Sequence, residues 1–205
     1  MNKEQVQQRV DEILRTWFGF LSDDTVFPED RMSLWFGADE AADNAIRRKF
    51  EKDLALAAAG KLDDWKKTRR GCFAFIIVLD QFSRMIYRNR PEAFKQDAKA
   101  LEACLWGLER DYDRSLRPAE RMFFYMPLEH SENLEMQKKS VALYAQLMEN
   151  APLSIDTHTS QAHQFALQHC QIIERFGRFP QRNRILGRAS TPAELEFLKT
   201  PESQF

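Results

Sequence analysis

Residues that favour β-strands are scarce in this sequence. Val, Ile and Thr together account for 21 of the 205 residues, too few to supply the strands of a sheet. The abundant residues are instead Ala, Leu, Glu, Gln, Arg and Lys, most of which have a high helix propensity. The composition therefore argues against a sheet-based fold and predicts an all-α protein.

The chain also lacks long apolar runs and an excess of charge of one sign. Its longest apolar run, residues 72–79, has eight residues, whereas a helix that crosses a bilayer needs about 20. The 30 Lys and Arg residues oppose 31 Asp and Glu residues, so bulk charge gives no reason to expect a nucleic acid or a membrane as a partner. The N-terminal residues are polar where a signal peptide would have an apolar core. We therefore expect a cytoplasmic protein, and the oligomeric state stays open.

Cysteine pairs and the common catalytic motifs are absent as well. The three cysteines, Cys72, Cys104 and Cys170, form no CxxC motif and lie in apolar stretches, which is typical of reduced thiols in a core. The four histidines show no metal-ligand spacing beyond ordinary helical steps. Nucleotide-binding glycine motifs, HExxH and GxSxG do not occur. The sequence therefore predicts no bound metal and no common cofactor.

Apolar residues recur every three or four positions along most of the chain, and this spacing predicts a series of amphipathic helices. Their predicted ranges are 3–18, 39–59, 63–87, 91–108, 118–127, 131–147, 157–176 and a short helix after Thr191. Residues 20–38 contain many turn formers and predict a long ordered loop. Pro127 is expected to interrupt the fifth helix, and Ser131 to cap the sixth. Short links favour an antiparallel helical array, which we expect to form one domain over residues 1–205.

The first of three polar motifs is LDQFSRMIYR, residues 79–88, which continues the apolar run. Asp80, Arg84 and Arg88 follow each other at four-residue steps and so share one face of a helix that otherwise looks buried. One interpretation is a buried ion pair that fixes helix packing. The other is the wall of a cationic pocket, with one guanidinium left for a carboxylate or phosphate.

The second motif is ERMFFYMPLEHSEN, residues 120–133. Here Arg121, Glu129 and His130 flank an aromatic segment around Pro127. A helix interrupted at this proline would leave backbone groups free beside Glu129 and His130, where a ligand could bind. The alternative is a capping role for the segment around Ser131.

The third motif, residues 169–188, contains five arginines and one acid, Glu174, between positions 174 and 188. A helix stop at Gly177 and an extended step before Pro180 predict that Arg178, Arg182 and Asn183 project from a tight turn. A nucleic-acid patch is the alternative, but the neutral net charge is against it. His169, on an apolar helix, is more typical of a core residue than of a general base.

In this order and at these separations, the three motifs resemble those of the bacterial DUF924 family. The similarity extends from the WFG at residues 17–19 to the closing TPAELEFL. It implies a helical fold like that of tetratricopeptide (TPR) repeats and no established biochemical activity. The family pattern also implies Asn after the position of Arg84 and His before that of Arg182. This chain has Met85 and Gln181 there, so we assign no catalytic base at position 181.

Three classes of function are compatible with the motifs. The first, which we favour, is a protein that binds a small anion or a peptide carboxylate, because the arginines outnumber the nearby acids. The second is an enzyme on a small anionic substrate, with Glu or His side chains transferring protons. The third is a scaffold whose polar motifs only stabilise the fold. The first two place the site at Asp80, Gln81, Arg84, Arg88, Arg121, Glu129, His130, His169, Arg178, Arg182 and Asn183.

Overall fold

A computed structural model gives the fold, and it describes residues 2–21 and 23–203. Every regular element in these two ranges is helical, which confirms the all-α prediction. Ser22, which belongs to the predicted loop, lies outside the described residues. No helix in the described part of the chain is both long and apolar enough to cross a membrane. The TPR-like topology stays a prediction.

Eleven α-helical segments follow each other along the described chain. They are α1 (Lys3–Phe18), α2 (Met32–Phe36), α3 (Glu40–Ala58), α4 (Arg69–Ile76), α5 (Ser83–Ile86), α6 (Asp97–Leu108), α7 (Pro118–Glu129), α8 (Leu134–Asn150), α9 (Asp156–Phe176), α10 (Asn183–Leu186) and α11 (Pro192–Phe197). A π-helical segment, Ile77–Phe82, joins α4 to α5, and short 3-10 turns occupy several of the links.

Helix ends set by local chemistry agree with the sequence predictions. Gly19 and Gly177 both have a φ of 67° where α1 and α9 end, a backbone conformation that glycine adopts without a Cβ clash. Asp39 caps α3 by accepting the amide hydrogen of Ala41. Thr191 and Glu194 form the predicted capping box at α11. The predicted helix ends at Gly19 and Gly177 and the predicted helix start at Thr191 are confirmed.

Other boundaries differ from the predictions. The predicted helix 63–87 is broken at Thr68, whose extended backbone separates a 3-10 turn from α4. Residues 91–108 divide into a turn and α6. The predicted loop 20–38 contains α2, where Trp35 Nε1 donates a hydrogen bond to the backbone oxygen of Trp17 at 3.0 Å.

The predicted interruption at Pro127 is wrong. Helix α7 continues through this proline to Glu129, and the amide of His130 still donates to the oxygen of Met126 at 2.8 Å. Pro127 removes only one amide donor. Because few residues of the helix follow it, this loss does not end the helix. Ser131 is not the cap of α8 either, because Asn133 accepts the amide hydrogens at the start of that helix.

The apolar run 72–79 forms the centre of the packing. All its residues are 0% exposed, and the run contacts α1, α3, α6 and α7. Aromatic rings fill the space between α1 and α7: the ring centroid of Phe123 lies 4.5 Å from that of Trp35 and 5.5 Å from that of Trp17. Each fully buried ring of this size stabilises the fold by roughly 1.5–3 kcal/mol. The three cysteines are free and buried, as predicted.

The close approach of α6 to α7 requires glycine at position 107. A Cβ there would lie 2.5 Å from Cζ of Phe124 and 3.3 Å from Sγ of Cys72. Gly107→Ala should therefore lower the free energy of unfolding by about 1–3 kcal/mol, although alanine has the higher helix propensity by about 1 kcal/mol. Urea-induced unfolding measures the change.

A second substitution checks the cause of this loss. Phe124→Leu in the same chain removes the atom that the new Cβ meets, so the combined loss should be smaller than the sum of the two single losses. If Gly107→Ala instead stabilised the protein, the tight contact between α6 and α7 would be wrong.

Candidate functional site

Side chains from all three polar motifs come together around two carboxylates, those of Asp80 and Asp97. Arg84 follows Asp80 on the same segment, His130 ends α7, and Arg182 lies in the turn between α9 and α10. Asp97, the first residue of α6, joins Arg84 to Arg182 through its carboxylate. We call these five side chains the Asp80 cluster.

The Asp80 carboxylate lies on the π-helical segment, inside the core, and is 0% exposed. Its Oδ1 is 2.7 Å from His130 Nδ1 and 3.2 Å from Arg84 Nη1, while Oδ2 accepts a hydrogen bond of 2.5 Å from Gln81 Nε2. Burial alone would raise the pKa of Asp80, but the charge of Arg84, together with the hydrogen bonds from His130 and Gln81, holds it below the ordinary value. Asp80 is therefore an ionised acceptor. π-Helical turns are frequent at functional sites.

Arg84 is closely paired with carboxylates of the protein itself. Its Nη1 donates to the backbone oxygen of Asp80 at 2.8 Å and to Asp97 Oδ1 at 2.9 Å, and its Nη2 donates to Asp97 Oδ2 at 3.0 Å. This bidentate pair, with the Asp80 carboxylate beside it, uses the donors that a ligand would need. Arg84 therefore positions the two carboxylates rather than offering a free cation.

Arg182 is held differently. Its guanidinium carbon lies 4.5 Å from the ring centroid of Phe179 and 4.9 Å from that of Phe94. Within residues 2–21 and 23–203, the guanidinium donates a single hydrogen bond, from Nη1 to Asp97 Oδ2 at 3.4 Å. Burial, followed by the charge of Arg84, lowers the pKa of Arg182 to about 10. Its side chain is 12% exposed, so this cation is largely desolvated and only weakly compensated.

His130 presents a defined tautomer. Because Asp80 is an acceptor, the proton belongs on Nδ1 of His130, and the lone pair on Nε2. Burial and the charge of Arg84 lower the pKa of this imidazole against the opposing effect of Asp80, and Arg182 lowers it further. The ring is therefore neutral near pH 7. No described group donates a hydrogen bond to Nε2, and the side chain is 18% exposed.

Glu129 and His169 form a second buried pair beside the cluster. Nδ1 of His169 donates to the backbone oxygen of Phe165 at 2.9 Å and lies 3.3 Å from Oε1 of Glu129. Burial raises the pKa of Glu129 to about 8 and lowers that of His169 to about 3. Both groups are thus uncharged near pH 7, and their contact is a polar contact between neutral groups rather than an ion pair. The hydroxyl of Tyr144 also contacts Glu129 and donates to the oxygen of Met122 at 2.7 Å.

The structure does not bring the other predicted site residues to this cluster. Arg88 forms a bidentate pair with Asp43 at 2.5 and 2.7 Å, and Arg178 forms one with Glu194 at 2.6 and 2.8 Å. Each of these cations has a carboxylate partner elsewhere in the fold.

Arg121 and Asn183 also have their own partners. Arg121 donates to the hydroxyl of Tyr125 at 2.9 and 3.0 Å. Asn183 is buried, donates to Oγ of Ser190 at 3.0 Å and accepts from Nε of Arg188 at 2.9 Å. These contacts stabilise the segments in which the two residues lie.

Sequence reasoning missed the acids that pair with the arginines. Asp97, Asp43, Glu132 and Glu194 come from other helices or links and are up to 85 positions from their partners. The premise that nearby acids are too few is therefore wrong for most of the arginines. Nothing in the sequence around Asp97 distinguishes it from an ordinary first-turn acid that favours the helix dipole.

Neither of two surface depressions beside the third motif contains the Asp80 cluster. One is lined by Arg175, Phe176, Arg178, Thr191, Ala193 and Glu194, and the other by Pro180, Gln181, Arg184, Arg188, Ser190, Leu195 and Leu198. In the described residues, no group of three or more His, Cys, Asp or Glu side chains is arranged to hold a metal ion.

Comparison with known proteins identifies the family. The family model for a bacterial protein of unknown function, DUF924, matches residues 13–202. The chain belongs to the DUF924 family. A solved structure of a protein of unknown function, ATU0120 from Agrobacterium tumefaciens, is similar to it, with a TM-score of 0.76 and 28% sequence identity over 95% of this chain and 98% of that chain. No curated protein matches the sequence.

Replacing Asp80 in this DUF924 protein should be strongly destabilising. Asp80→Ala leaves Arg84 and His130 without their carboxylate, so the free energy of unfolding near pH 7 should fall by about 3–5 kcal/mol. As a control, Asp64→Ala removes a carboxylate that is 87% exposed and pairs with Lys67, and the loss should stay below about 1 kcal/mol. Equal losses in urea-induced unfolding of the two variants would contradict the buried ionic role of Asp80.

The raised pKa of Glu129 should make the stability depend on pH. The folded-state pKa of about 8 lies above the ordinary value of 4.5. The stabilisation by the protonated carboxyl is therefore complete below about pH 4.5 and is lost as the pH rises through about 8. Glu129→Gln removes this titration, so the stability of the variant relative to the parent should increase between about pH 5 and 8, by at most ~1.4 kcal/mol per pH unit.

The measurement is the difference in free energy of unfolding between parent and variant at several pH values, in which the contributions of titrating groups distant from Glu129 cancel. Glu135→Gln, which removes a carboxylate that is 74% exposed, is the matched control. If the difference for Glu129→Gln did not change between about pH 5 and 8, Glu129 would be ionised in the folded protein.

Proposed function

We propose that this DUF924 protein binds a small anion, a carboxylate or a phosphate, at Arg182 beside His130. The proposal depends on one observation: the guanidinium of Arg182 is desolvated, yet its protein partner is a single oxygen of Asp97 at 3.4 Å. That carboxylate is already bound at both oxygens by Arg84. A guanidinium has five N–H donors in a planar fork that fits a carboxylate or phosphate.

The charges in the cluster support the same conclusion. Asp80 and Asp97 both bind Arg84 directly, while His130, Glu129 and His169 are neutral near pH 7. The two carboxylates of the cluster thus contact Arg84 more closely than Arg182. An anion from solution would neutralise the charge of Arg182, which the protein itself compensates only weakly.

The scaffold hypothesis explains the other arginines better. Arg88, Arg178 and Arg188 each form a close bidentate pair with a carboxylate, which is what a purely structural role requires. Arg182 differs from them in having one long contact and two aromatic neighbours. The proposed binding function therefore concerns Arg182 and not the arginine-rich motif as a whole.

Thermal unfolding tests the proposal. Phosphate or succinate should raise the melting temperature in a saturable manner compared with chloride at matched ionic strength, because a ligand that binds only the folded state stabilises it by mass action. Arg182→Gln should abolish the rise. Arg184→Ala is the matched control, since Arg184 lies two positions away and is exposed, and it should respond like the parent.

Two results would contradict the proposal. One is a parent protein that responds to phosphate and succinate no more than to chloride. The other is an Arg182→Gln variant that keeps the saturable response, which would place the anion elsewhere.

A second candidate function is catalysis, and the contact between Asp80 and His130 favours it. A carboxylate at 2.7 Å from Nδ1 fixes the ring and its tautomer, as in sites where histidine acts as a general base. On this proposal Arg182 holds an anionic substrate, and Nε2 of His130 accepts a proton from the substrate.

A further inference from the structure

Nε2 of His130 is an acceptor in a cluster that also contains two guanidinium groups and two carboxylates. Asp80 orients the ring. Its ionised carboxylate can only accept hydrogen bonds, as it does from Gln81, and Arg84 also lies beside it, so Nδ1 of His130 must be the donor in their contact. Nε2 consequently carries a lone pair. In the part of the chain that the structure describes, no donor reaches this atom. The His130 side chain is 18% exposed, so a molecule from solvent can reach this acceptor.

His130 and Arg182 belong to the same site. A continuous series of contacts joins them: His130 to Asp80 at 2.7 Å, Asp80 to Arg84 at 3.2 Å, Arg84 to Asp97 at 2.9 Å and Asp97 to Arg182 at 3.4 Å. Arg182 is near enough for its charge to act on the imidazole directly. The site thus combines a fork of donors with one neighbouring acceptor.

We propose that the anion bound at Arg182 carries a hydroxyl group beside its anionic group, and that Nε2 of His130 accepts the hydrogen of that hydroxyl. The ligand class is then a small hydroxycarboxylate. This inference depends on the proposed anion-binding function, because Arg182 supplies the contact to the carboxylate.

The simpler alternative is that a second anionic oxygen of the ligand, rather than a hydroxyl group, contacts Nε2. The chemistry of Nε2 excludes it. A neutral imidazole whose Nδ1 donates to Asp80 has no hydrogen on Nε2 to offer. A carboxylate oxygen placed there would meet a lone pair and be repelled, whereas an O–H group would form a hydrogen bond. The same hydroxyl is the group from which His130 would remove a proton if the protein is an enzyme.

Malate and succinate form a matched pair for testing this inference, since they differ by one hydroxyl and are both dianions at pH 7.5. Isothermal titration calorimetry of the full chain at constant ionic strength should show one enantiomer of malate binding about tenfold more tightly than succinate, as expected for one well-formed hydrogen bond. Methoxysuccinate, which keeps the oxygen but lacks the hydrogen, should bind no better than succinate. This comparison uses only the parent protein.

His130→Phe keeps a planar ring and removes the acceptor. In this variant the affinities for malate and succinate should become equal, while succinate still binds. Arg182→Gln should abolish binding of both. Arg184→Ala should keep the parent's preference for malate.

The outcomes separate the inference from the function on which it depends. Equal affinities for succinate and both malate enantiomers in the parent would overturn the hydroxyl contact and leave anion binding intact. A His130→Phe variant that keeps the preference would also overturn it. If phosphate binds and neither dicarboxylate does, the hydroxycarboxylate class is wrong. If none of the three binds in a saturable way, the anion site itself fails.

Discussion

The carboxylate of Asp80, buried in the most apolar part of the chain, is the constraint on which the site depends. An ionised carboxylate is stable in a core only when close cations and hydrogen-bond donors surround it. Arg84, His130 and Gln81 satisfy this requirement, and they come from the π-helical region and from the end of α7. The need to compensate one charge therefore fixes where two of the three polar motifs lie relative to each other.

A second carboxylate extends this network to the third motif. Asp97 binds Arg84 through both oxygens and also contacts Arg182. Because Asp97 is shared, it compensates Arg84 well and Arg182 poorly. The phenyl rings of Phe94 and Phe179 keep Arg182 in place without neutralising it. Because its charge is well compensated, Arg84 has a structural role. Arg182, whose charge is poorly compensated, is the candidate for ligand binding.

Sequence reasoning predicts features that depend on nearby residues and fails where distant residues decide. Gly19, Gly177 and Thr191 mark helix ends correctly because a glycine at positive φ or a capping hydroxyl acts within one turn. Pro127 misled the prediction, since a proline close to a helix end removes too little hydrogen bonding to stop the helix. The pairing of Asp80 with Arg84 was predictable from four-residue spacing. Asp97 was not, because its partnership arises only when α6 packs against the π-helical segment.

The protonation of His130 in the ligand-free protein tests the account most directly. Nitrogen-15 chemical shifts of the labelled imidazole, recorded near pH 7, distinguish its two neutral tautomers from the imidazolium. An ionised Asp80 at 2.7 Å predicts a protonated Nδ1 and an unprotonated Nε2, and Asp80→Asn should perturb this pattern if the variant folds. A proton on Nε2 with none on Nδ1, or an imidazolium at this pH, would contradict the arrangement of charge around Asp80 from which the proposed site follows.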